Sequence, residues 1–283
     1  MYVSKNSCHI IYSYTVNIVF LYDCPTYYLD KLEGDNMLGF TENIHAVVIA
    51  GNGGIGQEFV TTLHNAPEVQ QIVATYRTHI PAHLQNAKIH WIQVDITEES
   101  TIENLAVYLQ KNDIQPNLLL NCVGTLHTEQ YTPEKSWKHL QPQTMHDVFA
   151  INAFAVALIG KHIIPRMPRK GRSIFASLSA KVGSISDNHL GGWHTYRASK
   201  TAHNMFVKNL ALEASRQYPE MSIVSLHPGT VQTALSAPFT TRYDPNKLFT
   251  TKRAITELSS VISNINHTHS GGFFGWDGET IPF

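Results

Sequence analysis

The chain has 283 residues, 43% hydrophobic and 15% charged, with a formal net charge of −1. That length suits one large α/β domain or two small ones, and near-neutrality argues against a global field that gathers nucleic acid or anionic membrane. The 16 histidines are scattered, with no H-E-x-x-H pair and no Cys/His quartet at metal-ligand spacing, so no metal centre is expected.

The first forty residues are apolar and aromatic but broken by polar positions. Their apolar run falls short of the roughly 20 residues a membrane span needs, and no basic segment followed by a small-residue cleavage site marks a signal peptide. Residues 1–40 are therefore expected to form an N-terminal extension outside the fold, with Met37 a natural alternative start and residues 41–283 a single domain. Cys8, Cys24 and Cys122 are too few and too far apart for a disulfide framework, which fits a reducing cytoplasm. Cys122 lies in an apolar run and is expected to be a small buried hydrophobe.

Beyond Phe40 strands and helices alternate. "HAVVIA" (45–50) is a β-branched run of the kind buried on both faces of a sheet. The glycine cluster "GNGGIG" follows, then a helix with Ile55, Phe59, Val60 and Leu63 at helical spacing that ends before Pro67. "QQIVATYR" and "AKIHWIQVDI" are the second and third strands. "ESTIENLAVYLQKN" is an amphipathic helix with Ile102, Leu105 and Leu109 on one face. "NLLLNCVG" is the fourth strand. A long helix over 144–167, a fifth strand "GRSIFASLS", a long helix over 194–219, a sixth strand "MSIVSLHPG", a helix over 251–265 and a last strand "GGFFGW" complete the series. This order predicts one doubly wound Rossmann domain with a parallel sheet of about seven strands. Ligands in such folds bind at the carboxyl ends of the strands, near the point where strand order reverses.

The strand ends carry the chemistry. Gly51, Gly53 and Gly56 match G-x-G-x-x-G between a buried strand and a helix, where backbone N–H groups can meet a pyrophosphate. By itself the motif also describes a bare turn. About twenty residues later an NAD-type site places an acid against the ribose 2′-hydroxyl. Here Arg77 stands instead, and a guanidinium suits the 2′-phosphate of NADP. Asp95, followed by Ile96, ends the third strand and either accepts from the adenine amine or caps the next helix. Tyr196 and Lys200 lie one helical turn apart on one face. A nearby ammonium is expected to lower the tyrosine pKa from about 10 and make an acid/base couple.

Taken in order, the glycine loop, Asn121-Cys122-Val123-Gly124, Asn152, the Ser-rich fifth strand, Tyr196/Lys200 and "HPGTVQT" resemble the short-chain dehydrogenase/reductase family over roughly residues 44–283. "LSAKVGSISDNHLGGWHTYRASK" and the terminal "GGFFGWDGETIPF" are most similar to its bacterial C-factor-like subgroup. The resemblance implies that Gly51, Gly53, Gly54 and Gly56 cradle the pyrophosphate, with Asn52 and Ile55 in the same loop. It places Asn121, Val123 and Gly124 on the adenosine side, and Pro228, Gly229, Val231 and Thr233 against the rest of the cofactor. Tyr196 would be the general acid. Lys200 would tune it and hold the nicotinamide ribose, and Asn152 would anchor a water behind Lys200.

Three departures from the family pattern stand out. One residue fewer separates the first two glycines of the loop, and Ala50 replaces a threonine. Cys122-Val123 replaces N-A in N-N-A-G. In "ASLSAKVG" the usual second serine is Ala180; a one-residue shift of the strand end makes Ser179 the expected catalytic serine, with Ser177 the weaker candidate and more naturally a strand residue.

His189, Leu190, Trp193 and His194 either line the substrate side or are plain loop, and "ALSAPFTTRYDPNKLF" has the composition of a mobile lid. The expected function is an NADP(H)-dependent oxidoreductase that reduces a small-molecule carbonyl to an alcohol in the cytoplasm, with no nucleic-acid or membrane partner. The alternative is an NAD(P)-binding regulatory protein with little turnover. The apolar helices around Asn152 and Tyr196 suit either pairing into a homodimer or homotetramer or packing in the core.

Overall fold

The computed structural model describes residues 38–41, 43–241 and 243–283, so the expected extension lies outside the described residues except at its end. There the boundary moves: Leu38 and Phe40, assigned to the extension, are each 1% exposed and belong to the core. The Arg172 guanidinium stacks on the Phe40 ring at 5.0 Å and donates to the Leu38 carbonyl, fastening this entry segment to the domain.

The main sheet contains β1 (Ile44–Ile49), β2 (Val69–Tyr76), β3 (Ile89–Gln93), β4 (Leu118–Asn121), β5 (Ser173–Leu178) and β6 (Met221–His227). Two-residue strands β7 (Thr230–Val231) and β8 (Leu248–Phe249) pair with each other outside it, and β9 (Phe273–Gly275) closes its far edge. The order is β3-β2-β1-β4-β5-β6-β9, and every pairing is parallel. Strand order therefore reverses between β1 and β4, which is where this architecture opens a crevice for a ligand.

The sheet is covered on both faces because successive side chains of each strand point to opposite sides. In β1, Ala46 and Val48 join a core layer with Phe59 and Leu63 of α1 (Gly54–Asn65) and Leu258 and Ile262 of α6 (Thr251–Asn264). Val47 and Ile49 join the opposite layer with Ile102 and Leu105 of α2 (Glu99–Lys111). Ile159 of α4 (Ala155–Ile163) and Val207 of α5 (His194–Ala214) belong to that second layer.

The long helix expected over 144–167 is α3 (Pro142–Phe149), a π turn (Ala150–Phe154) and α4, run end to end. It is long and apolar enough to cross a membrane by composition, yet half of its most apolar window is buried inside the protein. Its α4 half packs into the second core layer, whereas α3 buries Val148 alone. The π turn surrounds the buried Asn152, and such single-turn bulges recur at functional sites.

Candidate active site

The glycine loop is shaped by what holds it. Thr75 of β2 accepts from Ala50 N through its hydroxyl at 2.9 Å and from Gly51 N through its carbonyl at 2.8 Å. Ala50 takes a left-handed φ of 58°, which lets the chain turn in the shortened loop. That conformation costs a non-glycine residue roughly 1–2 kcal/mol. Gly56 is obligatory because a Cβ there would stand 2.2 Å from the Ala50 carbonyl oxygen. The Gly53 N-cap of α1 supplies no side-chain acceptor and the first turn has no acid, so its N–H groups are left to an anion. A Cβ on Gly54 would touch Thr233 at 2.9 Å, so the segment after β7 lies against the loop. Asn52 donates to the His79 carbonyl at 3.2 Å.

Arg77 is exposed at the end of β2, and its charge helps to lower the Asp95 pKa. The first cause of that lowering is the hydrogen bond from Thr97, whose N–H and hydroxyl both reach Asp95 Oδ1 at 3.0 and 2.7 Å. Asp95 does not cap α2, whose N-cap is Glu98 without a side-chain bond; its carboxylate closes a local turn onto Thr97 instead. Ile96 packs against the core. Asn121 is also occupied: it donates to Ser177 Oγ at 2.9 Å and accepts from Val123 N at 3.2 Å. Ser177 is thus the strand residue anticipated, and Asn121 sets the turn that carries Val123 and Gly124. Cys122 is half-buried against the core, its thiol pushed up by burial.

The strand ends converge on a cavity of about 730 Å³, lined by Ile55, Val123, Gly124, Ser179, Tyr196, Lys200, Pro228, Gly229, Val231 and Thr233 among others. This size lies within the range typical of small-molecule sites. Ser179 is 5% exposed, and its Oγ has no partner. A buried hydroxyl without a partner carries a desolvation penalty, and here it lines the same cavity as Tyr196. Of the loop residues ahead of α5, Leu190 and Trp193 line this cavity, His194 lines a neighbouring one, and His189 lines neither.

Lys200 is buried and donates to the Leu178 carbonyl at 3.1 Å. Burial lowers its pKa to about 8 and raises that of Tyr196 to about 12. This corrects the expected direction for the tyrosine. In so dry a setting desolvation of the phenolate is the leading effect, and Tyr196 keeps its proton at neutral pH. Asn152 sits behind the pair: its amide accepts from Thr125 N at 2.8 Å and donates to Thr125 O at 2.9 Å and Ser199 Oγ at 3.0 Å. Ser199 in turn donates to the Tyr196 carbonyl at 2.8 Å, so the π turn and the tyrosine helix are joined.

Two contributors escaped the sequence. Glu134 is 5% exposed, accepts from Thr195 N at 3.1 Å and from the Thr195 hydroxyl, and offers its backbone carbonyl to Trp193 N at 2.6 Å. It caps the helix that carries Tyr196 from 61 residues away, a contact no local pattern announces. His203 is buried, with Nδ1 hydrogen-bonded to the Asn152 carbonyl at 2.9 Å. That bond ties the π turn to the middle of α5. Burial, then the Lys200 charge, lower the His203 pKa to about 3, so the ring is neutral and donates from Nδ1.

A doubly wound parallel sheet with a glycine loop at the switch point and a Tyr/Lys pair beside it defines a dinucleotide-binding α/β protein. More particularly, the chain belongs to the short chain dehydrogenase family, whose profile matches residues 44–244. It is 24% identical over 262 residues to an uncharacterized oxidoreductase of Schizosaccharomyces pombe, covering 86% of this chain and 99% of that protein. It is 31% identical over 140 residues to C-signal of Myxococcus xanthus, covering 49% of this chain and 78% of that protein. Among solved structures, an NADPH-bound carbonyl reductase from chicken fatty liver superposes with a TM-score of 0.74 at 22% identity, covering 86% of this chain and 100% of that one. The carbonyl reductase Sniffer of D. melanogaster gives 0.74 at 23% identity over the same shares. At these identities the structures speak for the fold.

Proposed function

We propose that the protein is an NADP(H)-dependent carbonyl reductase in which Tyr196 protonates the substrate oxygen. The observation that carries this reading is the convergence of Tyr196, Lys200 and the unpartnered Ser179 hydroxyl on one cavity at the strand ends. The glycine loop fits a pyrophosphate because its helix N-terminus is uncapped and bare of acids. Arg77 would hold the 2′-phosphate, and Val123, Gly124, Val231 and Thr233 would flank the cofactor. The bound cofactor supplies the hydride.

The chain's own residues supply the rest. Ser179 Oγ donates to the carbonyl oxygen and polarises it. Tyr196, protonated at neutral pH, gives up its proton as negative charge develops on that oxygen. Lys200, held by the Leu178 carbonyl, keeps a positive charge beside the phenolate that results. Asn152 and Glu134 fix the helix that presents the tyrosine.

The test is NADPH and NADH oxidation over a panel of aldehydes and ketones, with Tyr196→Phe as control. Turnover that depends on Tyr196 supports the reading. NADPH binding without any such turnover favours the regulatory alternative, to which the similarity with C-signal also points.

Two further outcomes follow from single residues. Ser179→Ala is expected to lower kcat/KM by about a hundredfold without loss of thermal stability, since the removed hydroxyl bonds nothing. Undiminished turnover would remove Ser179 from the site. Arg77→Asp should raise KM for NADPH and lower it for NADH, reversing the preference. An unchanged ratio of the two kcat/KM values would show that Arg77 does not read the phosphate.

A further inference from the structure

We propose that the substrate side of the cavity selects carbonyl compounds bearing an aromatic ring, an inference that rests on the reductase reading above. Trp193 stands edge-on to Tyr196, with ring centroids 6.0 Å apart and planes at 76°. On its other side it meets Phe239 at 5.3 Å and 65°. His127 backs Phe239 in the same manner at 5.5 Å and 66°. The row starts at the proposed proton donor. A carbonyl seated on Tyr196 therefore brings its neighbouring substituent to Trp193 and Phe239, both of which line the cavity.

Three separate segments contribute this row: the loop after β4, the turn ahead of α5 and the segment after β7. The position of the indole is constructed. Gly191, Gly192 and Trp193 take left-handed φ values of 64°, 67° and 48° in succession. For a bulky residue that conformation is costly and persists only where its surroundings hold it. Glu134 supplies the hold, with its carbonyl on Trp193 N and its carboxylate on Thr195. The strain is spent on keeping an aromatic edge beside Tyr196.

Ordinary apolar packing would need no such arrangement, since aliphatic contact has no preferred direction. Aromatic rings do prefer edge-to-face partners, because their faces are negative and their edges positive. Of the basic side chains on this side, Lys181 pairs with Asp187 at 3.4 Å, and Arg197 Nε is tied to the Gly192 carbonyl at 3.0 Å.

The discriminating pair is phenylacetaldehyde against cyclohexylacetaldehyde, similar in size, with the carbonyl unconjugated in both. With the full chain and NADPH, kcat/KM for the aryl compound should be about threefold to tenfold higher, the factor expected of one or two ring contacts. Phe239→Leu should bring the ratio near one through the KM of the aryl compound. Phe239 is half-buried on a surface segment, so the fold survives this change, and His127→Leu, behind it, should reduce the ratio in part. Equal kcat/KM for the two aldehydes, or a ratio that Phe239→Leu does not move, overturns the proposal. Tyr196-dependent turnover confined to a polar aldehyde such as glyceraldehyde overturns it and leaves the reductase reading standing. Absence of Tyr196-dependent NADPH oxidation with every aldehyde overturns both.

Discussion

Tyr196→Phe is expected to abolish carbonyl reduction, lowering kcat about a thousandfold, while leaving NADPH affinity within a few-fold of the unsubstituted protein. The magnitude is that of removing a positioned general acid. The phenol is the group in the cavity whose pKa, raised to about 12 by burial, keeps it protonated across the physiological range. Removal of the hydroxyl takes away the proton donor but leaves the ring that packs edge-on against Trp193, so the wall of the cavity persists. Stopped-flow or steady-state NADPH oxidation gives kcat, and fluorescence titration gives the affinity. Residual turnover within tenfold of the original would transfer the acid's role to another group.

Lys200→Met is expected to separate function from stability. Turnover should fall at least about a hundredfold, because the charge beside the reacting tyrosine is lost. Stability at pH 7 should nevertheless rise, and the sign follows from linkage. Lys200 has a folded pKa of about 8 against an ordinary value of 10.5. Below pH 8 both states carry the proton and the folded state bears the full burial penalty, about 3 kcal/mol. Between pH 8 and 10.5 the folded protein releases the proton first, so the penalty fades and stability rises with pH. Loss of the hydrogen bond to the Leu178 carbonyl subtracts about 1 kcal/mol, which leaves a gain of about 2 kcal/mol at pH 7. Urea unfolding at pH 7 and pH 10 measures both. A variant less stable than the parent at pH 7, with the same rise towards pH 10, would contradict the burial argument.

Much of this was legible in the sequence because it is local. β-branched runs such as "HAVVIA" announce strands buried on both faces, and the glycine cluster between one of them and a helix marks the loop. The four-residue spacing of Tyr196 and Lys200 places both on one face of α5. Ser177 was expected to be a strand residue, and Asn121 holds it within β5.

What could not be read depends on distance or on burial. Glu134 reaches Thr195 across 61 residues, and nothing near either residue foretells the contact. The π turn at Asn152 interrupts no apolar pattern, so the sequence resembles one unbroken helix. Trp193 in a left-handed conformation runs against the habit of bulky residues. The Tyr196 pKa was expected to fall because an ammonium lay one turn away. It rises because desolvation of the half-buried phenol outweighs that charge, and the extent of burial is a property of the folded chain. Leu38 and Phe40 looked like the tail of an extension because their partners, Ile262 and its neighbours in α6, lie more than two hundred residues further on.

The central claim is that this cavity carries out hydride transfer from NADPH to a carbonyl carbon with Tyr196 supplying the proton. The most direct measurement uses NADPH deuterated at both C4 positions, an accepted aldehyde and mass spectrometry of the alcohol formed. One deuterium on the carbinol carbon of the product, with no product from Tyr196→Phe, is the predicted result. An alcohol without deuterium, or one formed equally well by Tyr196→Phe, would contradict it.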